Sequence, residues 1–378
     1  MAGNVLSVYD PLFYAQEALI ALEKGLGMAG RVHRGYDKSP QQKGSIISIS
    51  KPGSFSALDA PSVAQDVVAG EVQIALNYWR EVKFALTDKE LTFTTEKIIN
   101  DHIRPAAYAL ADDIDQKLCA LYKDIPYAVD TTAPAAVADI TGCRKVLFNN
   151  GVPMSDLHMM VDGTLESEFL NLTAFSQNQG AGDAGVATQQ RGSLGQKFGF
   201  EIFANQNVAT HAIGACADAT GAVDLVAGYP VGSKLIHVSG LTIAGTLKIG
   251  DFFTIAGDTQ PYVLTKDVLA DGASDADLEF EPGLKVAADN LDVVTIISTA
   301  KVENLAFDRA AFALAMAPLT EIGNNLGARI ATVADPVTNL ALRSRIFYVG
   351  NDSKVYVALD VLYGVKTLDL RRAVRLRD

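Results

Sequence analysis

Residues 94–125 read TTEKIINDHIRPAAYALADDIDQKLCALYKDI. Their apolar positions Ile99, Ile103, Ala107, Leu110, Ile114, Leu118, Leu121 and Ile125 recur at steps of three and four, the spacing of one helix face. Thr94 or Thr95 with Glu96 in the first turn supplies a start signal, and Pro105 is expected to kink the early part. A helix on this scale is a spine for other elements more than a packing element of a small domain. Asp112, Asp113 and Asp115 fall on its polar side, where a hydrated face or an inter-subunit ion pair is expected.

Upstream, residues 12–24 place Leu12, Ala15, Leu19 and Leu22 on one helical stripe that Gly25 and Gly27 end. Residues 31–43 are polar and aperiodic, an extended arm. A strand at Ser45–Ser50, turns around Pro52, Gly53 and Pro61, and a long alternating segment from Glu71 to Leu86 follow. Val72, Ile74, Leu76 and Tyr78 alternate there with polar positions. This pattern predicts a two-stranded ribbon that cannot bury both faces within its own fold and needs a neighbour.

Downstream, a helix is expected from Ala136 to about Asn149, closed by Asn150-Gly151. Short apolar segments then alternate with a Gly/Gln/Asn-rich loop at 176–195. Residues 231–299 hold KLIHV, TIAGTLKI, DFFTIAG, PYVLTKDV, DLEFE and DVVTIIS, each bounded by Gly, Asp or Asn. Such short strands without a helical window predict a closed barrel of about six strands. Ten acidic side chains face only Lys266 and Lys285 over residues 251–292, a net of −8 that concentrates most of the chain's −12. After it, NLAFDRAAFALAMAPL (304–319) reads as a short helix or turn ended by Pro318. Strands are expected at 328–334, 345–349, 354–362 and 367–376. The closing LDLRRAVRLRD sets Arg371, Arg372, Arg375 and Arg377 beside an apolar alternation. It reads as a solvated, basic edge strand able to meet acidic groups on a neighbour or to lie near nucleic acid.

The 378 residues, 49% hydrophobic and 20% charged, suffice for two or three compact units. The negative net charge opposes phosphate backbones and anionic membranes, which weighs against sequence-reading DNA binding. Cys119, Cys143 and Cys216 form no CxxC pair, and a reducing cytoplasm is expected. The start carries no secretory pattern, and no apolar run approaches the about 20 residues a membrane-spanning helix needs. Gly25, Gly27 and Gly30, and again Gly180, Gly182 and Gly185, match G-x-G-x-x-G without the strand and helix that would place a pyrophosphate, so they read as turn glycines. No Walker, HExxH or GxSxG motif occurs, and the five histidines lack partners at i+3 or i+4. The acidic run 271–279 does not match calcium-loop spacing and reads as solvated.

The order of elements, with NLAFDRAAFALAMAPL (304–319), LDVLYGVKTLDLRRAVRL (359–376) and GLTIAGTLKIGDFFTIAG (240–257), resembles the major capsid proteins of tailed bacteriophages, in the branch that carries an inserted β-barrel. The resemblance implies an α+β chain with the Johnson fold. It would comprise an N-arm (1–43), an E-loop (44–91), the spine helix with the P-domain and part of the A-domain (92–209), an inserted barrel (210–300) and the remainder of both domains (301–378). It implies no catalytic site, cofactor or metal. The work is assembly of copies of the chain into pentamers and hexamers of an icosahedral shell around double-stranded DNA, held without sequence-specific contacts. A scaffolding protein, a portal protein and decoration proteins are the implied partners. The shell would be made in the host cytoplasm and end in the virion, away from membranes. Arg371, Arg372, Arg375, Arg377, Trp79, Arg80 and Glu81 are the expected inter-subunit contacts. Charge reversal of Arg371 with Arg372 is expected to impair assembly and spare the subunit's fold. The alternatives are an encapsulin-like compartment shell and, ranked lower, an enzyme with an accessory β-domain, which would need a convergent carboxylate pair.

Overall fold

The computed structural model describes residues 11–35, 46–51, 59–60, 70–87, 102–177, 190–216, 220–272, 274–297, 300–321, 328–335, 340–351 and 354–378. The chain forms two compact units, one from residues up to Leu118 with Phe312–Leu368, the other from Cys119–Ala311 with Asp369–Asp378.

The first unit is built on Lys354–Thr367, a strand of 14 residues that pairs antiparallel with Phe312–Ala317, Leu340–Val349 and Tyr78–Thr87. Ala328–Asp335 extends the sheet beyond Leu340–Val349. The alternating segment 71–86 is therefore not one long ribbon strand. It breaks after Ala75: Gly70–Ala75 pairs with Ile46–Lys51, while Tyr78–Thr87 joins the sheet. The ribbon's apolar face is covered from within the chain, because Ile47, Ile49 and Ile74 pack on Ala313 and Ala315. Gly364 permits that approach, since a Cβ there would lie 2.4 Å from the Ala75 carbonyl oxygen.

Two helices belong to this unit. Pro11–Gly25 buries Ala15, Ala18, Leu19 and Leu22, whereas Leu12, expected on that stripe, is exposed. Arg104–Cys119 buries Ala107, Leu110, Ile114 and Leu118 as its periodicity predicts. The start signal at Thr94–Glu96 lies outside the described residues. Pro105 follows two π-helical residues, 102–103, that lead into Arg104–Cys119, so the early part of the helix is irregular where the proline falls. The α-helix ends at Cys119, and Ala120–Asp124 tightens into a 3₁₀ turn in the second unit, so Leu121 and Ile125 lie beyond the stripe. Asp115 departs from its expected place on a hydrated face. It is buried, and its carboxylate accepts the backbone N–H groups of Gly27, Met28 and Ala29 at 2.7, 3.3 and 3.2 Å. The first glycine run is thus a turn wrapped on a carboxylate of its own chain, and the second lies outside the described residues.

The second unit holds a six-stranded sheet in the order Ala128–Asp130, Ala373–Arg377, Glu303–Asp308, Leu157–Val161, Phe200–Ala204, Gly195–Lys197. Helices Val137–Asn149 and Gly163–Asn171 contribute Ile140, Cys143, Leu147, Leu165 and Phe169 to one core with Val374 and Leu376. Asn150-Gly151 ends the first helix as expected, with Gly151 at φ +73°. The 304–319 stretch is two strands, Glu303–Asp308 and Phe312–Ala317, joined by the 3₁₀ turn Arg309–Ala311. No helix forms, because its apolar residues are spent on pairing in two different sheets.

Within the same unit, Phe252–Ile255, Tyr262–Leu264, Ala276–Glu281, Leu235–Ser239, Thr220–Val223 and Val293–Ile297 close into a six-stranded barrel around Phe253, Tyr262 and Phe280. Its membership differs from the sequence reading at one strand. TIAGTLKI supplies only Thr246–Leu247, which pairs with Val268–Leu269 outside the barrel, and Thr220–Val223 takes its place. Beyond Leu247 the N–H groups of Lys248 and Ile249 donate to the carboxylates of Asp251 and Asp267 and not to a neighbouring strand.

Candidate functional site

The C-terminal arginines do not sit on an edge. Ala373–Arg377 is an interior strand, parallel to Ala128–Asp130 and antiparallel to Glu303–Asp308. Val374 and Leu376 enter the helix-covered core, so Arg375 and Arg377 take the opposite face. That face is also covered: all five residues are buried. Arg375 is completely buried, its Nη1 donating to the Gly250 carbonyl at 3.0 Å and its nearest carboxylate oxygen, Glu303 Oε1, at 3.7 Å. Its guanidinium stands 4.2 Å from the Phe252 ring centre and 5.2 Å from that of Tyr122. Arg377 donates to Asp130 at 2.7 Å and lies 4.9 Å from the Phe252 ring centre. Burial pulls Arg375 down to about 10 and pushes the Glu303 carboxyl up, since both lose hydration of their charged forms.

Arg371 and Arg372 precede the strand in the 3₁₀ turn Leu370–Arg372, capped by the Asp369 carboxylate, which accepts the Arg371 N–H. Arg372 is tied to the nearly buried Asp308 at 2.5 Å. Arg371 hydrogen-bonds Asp369, which raises its pKa, yet keeps its side chain 60% exposed. Of the four arginines, Arg371 is the one presented outward.

Beside Arg375 lies a set that sequence reasoning passed over. The Tyr122 hydroxyl is 3.0 Å from His211 Nδ1, and His211 Nε2 is 2.8 Å from Asp251 Oδ1, all three side chains being buried. A neutral imidazole that donates to Asp251 and accepts from Tyr122 satisfies both contacts. Burial pushes the Tyr122 phenol up to about 12, so at neutral pH it is a hydrogen-bond donor and not a nucleophile. An open cleft of about 290 Å³ adjoins the set, lined by Tyr122, Lys123, Thr210, His211, Lys248 and Asp267. Among the described residues its lining has one carboxylate, Asp267, held low by the Ile249 N–H, and no convergent carboxylate pair. Among the described residues no group of three or more His, Cys, Asp or Glu side chains could hold a metal ion. Nor is any helix among them long and apolar enough to cross a membrane.

In the first unit, Trp79, Arg80 and Glu81 follow one another on Tyr78–Thr87, so Trp79 and Glu81 share one face of the sheet and Arg80 takes the other. Trp79 donates its indole N–H to Asp360 Oδ2 at 3.1 Å while its ring stays 59% exposed. Asp360 is fully buried and grips Arg343 in a fork, 3.0 and 2.5 Å, with Arg345 Nη2 at 3.5 Å. Arg345 also donates to Glu81 at 2.7 Å. On the other face, Arg80 meets Asp113 at 3.1 Å, and the Tyr363 hydroxyl donates to the same carboxylate. Arg343, Arg345 and Asp360 were not among the expected contacts. Their one sequence signal is charge inside otherwise apolar strands, LALRSR and VALDVL.

Neither a protein-family model nor a curated protein sequence matches the chain. Solved structures do. The chain is similar in fold to one from Mycobacterium phage Che8 at 14% identity, covering 93% of this chain and 90% of that one, with a TM-score of 0.50. Lower-scoring likenesses include the capsid structure of the Cyanophage P-SCSP1u (10% identity, 92% and 86% covered, TM-score 0.46) and a virus-like particle from Pyrococcus furiosus (8%, 96% and 97%, 0.42). At such identities the likeness is one of fold. The fold likeness to the Che8 chain extends over most of both chains.

Proposed function

We propose that this chain is the major capsid protein of a tailed bacteriophage, a structural subunit and not a catalyst, whose copies assemble as pentamers and hexamers of an icosahedral head around double-stranded DNA. The observation that carries this reading is the fold likeness to the Mycobacterium phage Che8 chain over 93% of the residues. The placement of the barrel agrees with an insertion. The chain leaves the six-stranded sheet after Phe200–Ala204, forms the barrel, and returns to the same sheet at Glu303–Asp308. On this reading residues 1–43 are the N-arm, 44–91 the E-loop with Tyr78–Thr87 as its rooted end, and 210–300 the inserted barrel. The rest, 92–209 and 301–378, forms the P- and A-domains. A scaffolding protein, a portal and external decoration proteins complete the assembly, which proceeds in the host cytoplasm. A compartment shell of the encapsulin kind is the second reading, distinguished by an enzyme cargo in place of DNA.

The test is negative-stain electron microscopy of the sedimentable fraction after co-expression with a candidate scaffold. Uniform icosahedral shells with this chain as the dominant band are expected, and a small monodisperse species despite the scaffold overturns the proposal. Shells that copurify with an enzyme select the compartment reading. Arg371→Glu alone is expected to lower particle yield at least threefold with the subunit still folded. The double reversal with Arg372 is the poorer probe, because Arg372 holds Asp308 inside its own chain.

A further inference from the structure

The barrel meets its sheet through a narrow neck. Thr210 and Val302 form an isolated antiparallel bridge there, His211 N–H donates to the Lys301 carbonyl at 2.9 Å, and Glu303 N–H donates to Ala209 at 3.0 Å. Val302 and Asp378 exchange backbone hydrogen bonds at 3.0 and 3.1 Å, which brings the last residue of the C-terminal strand alongside. A two-segment bridge of this sort, held by a few backbone bonds, is where a domain bends at least cost.

Beside the neck, barrel residues Gly250, Asp251 and Phe252 touch groups outside the barrel. Phe252 is buried but stands apart from the barrel's own core cluster and underlies Arg375 and Arg377. Gly250 supplies the carbonyl that Arg375 binds, and Asp251 reaches His211. A Cβ at Gly250 would come within 3.2 Å of both Lys123 and His211 side-chain atoms, and its φ of +97° suits glycine alone, so this contact is built for close approach. Three buried atoms at its centre, Arg375 Nε and Nη2 and Glu303 Oε2, lack hydrogen-bond partners. Burying such atoms costs free energy that water would return on opening.

We propose that the barrel is a hinged body and that the Arg375–Glu303–His211–Asp251 cluster, with Phe252, is the latch that holds it on the sheet. The latch is polar and under-satisfied, whereas the barrel has a complete apolar core in Phe253, Tyr262, Phe280 and their neighbours. Opening therefore breaks the latch and the neck bonds while the barrel stays folded. The proposal rests on the second unit's own geometry and does not depend on the assembly reading.

The test is residue-resolved amide hydrogen exchange on the full-length chain, comparing the native sequence with His211→Leu, which leaves Asp251 only the Lys248 N–H as a partner, and with Phe252→Leu, which keeps every hydrogen bond. Both variants are expected to speed exchange at least tenfold at His211, Val302 and Glu303, with Phe253 and Leu278 in the barrel unchanged. Exchange that rises equally through the barrel strands, or that rises at none of these positions in Phe252→Leu, overturns the latch. Should His211→Leu fail to fold, the Phe252→Leu outcome decides alone.

Discussion

Two buried arginine–carboxylate clusters sit in the two sheets; Arg345 Nε is unpartnered in the first, but the two carboxylates are satisfied to opposite degrees. In the first unit Asp360 is served by Arg343 through two hydrogen bonds, by Trp79 through a third, and by Arg345 nearby. In the second, Arg375 has one hydrogen bond, to a carbonyl, and its carboxylate stands 3.7 Å off with an oxygen unpartnered. Aromatic rings take up part of the shortfall around Arg375. Desolvated charge is stabilising only when its hydrogen bonds are complete. The first cluster thus behaves as a rivet of its sheet, and the second as a contact that can open.

Substitutions can break this contrast. The largest effect is expected from Asp360→Ala, which strands Arg343 in a buried site and should cost about 3–5 kcal/mol by chemical denaturation. Glu303→Gln removes a carboxylate that burial already disfavours, and should cost under about half as much. Equal losses from the two would remove the distinction between rivet and latch. Trp79→Phe keeps the exposed ring and deletes one N–H to a carboxylate already held by arginine. A loss of about 1–2 kcal/mol is expected, read from the same denaturation curves.

The smallest effect concerns pH. His237 on the barrel is raised above its ordinary value chiefly by its hydrogen bond to Asp277, 2.7 Å away and partly exposed. A raised histidine stabilises the fold fully below its unfolded value of about 6.5 and loses that contribution as pH rises through the folded value. The barrel's thermal midpoint should fall slightly from pH 6 to 8, and Asp277→Asn should flatten that slope. An unchanged slope would assign the pH dependence to other groups.

The sequence was most legible where one face of an element is dry and the other wet. The Arg104–Cys119 stripe, the helix that Asn150-Gly151 ends and the closed barrel all announce themselves by period or punctuation. It misled where both faces are covered. Ala373–Arg377 alternates apolar and basic residues as an exposed edge would, but it pairs with a strand on each side, and Phe252 and Tyr122 cover its arginine face. Asp115 likewise reads as solvated until the Gly27–Ala29 turn folds onto it.

By itself, then, the sequence determined which segments are amphipathic, how many short strands the acidic region supports, and where charge concentrates, because these follow from local period and composition. Tertiary structure alone decided the partners. Trp79 meets Asp360 across 281 residues of chain, and Arg375 meets Gly250 across 125. Alternation marks a strand's two faces but carries no record of what will lie against the second one, and it is that covering layer that makes an arginine a surface charge or a latch.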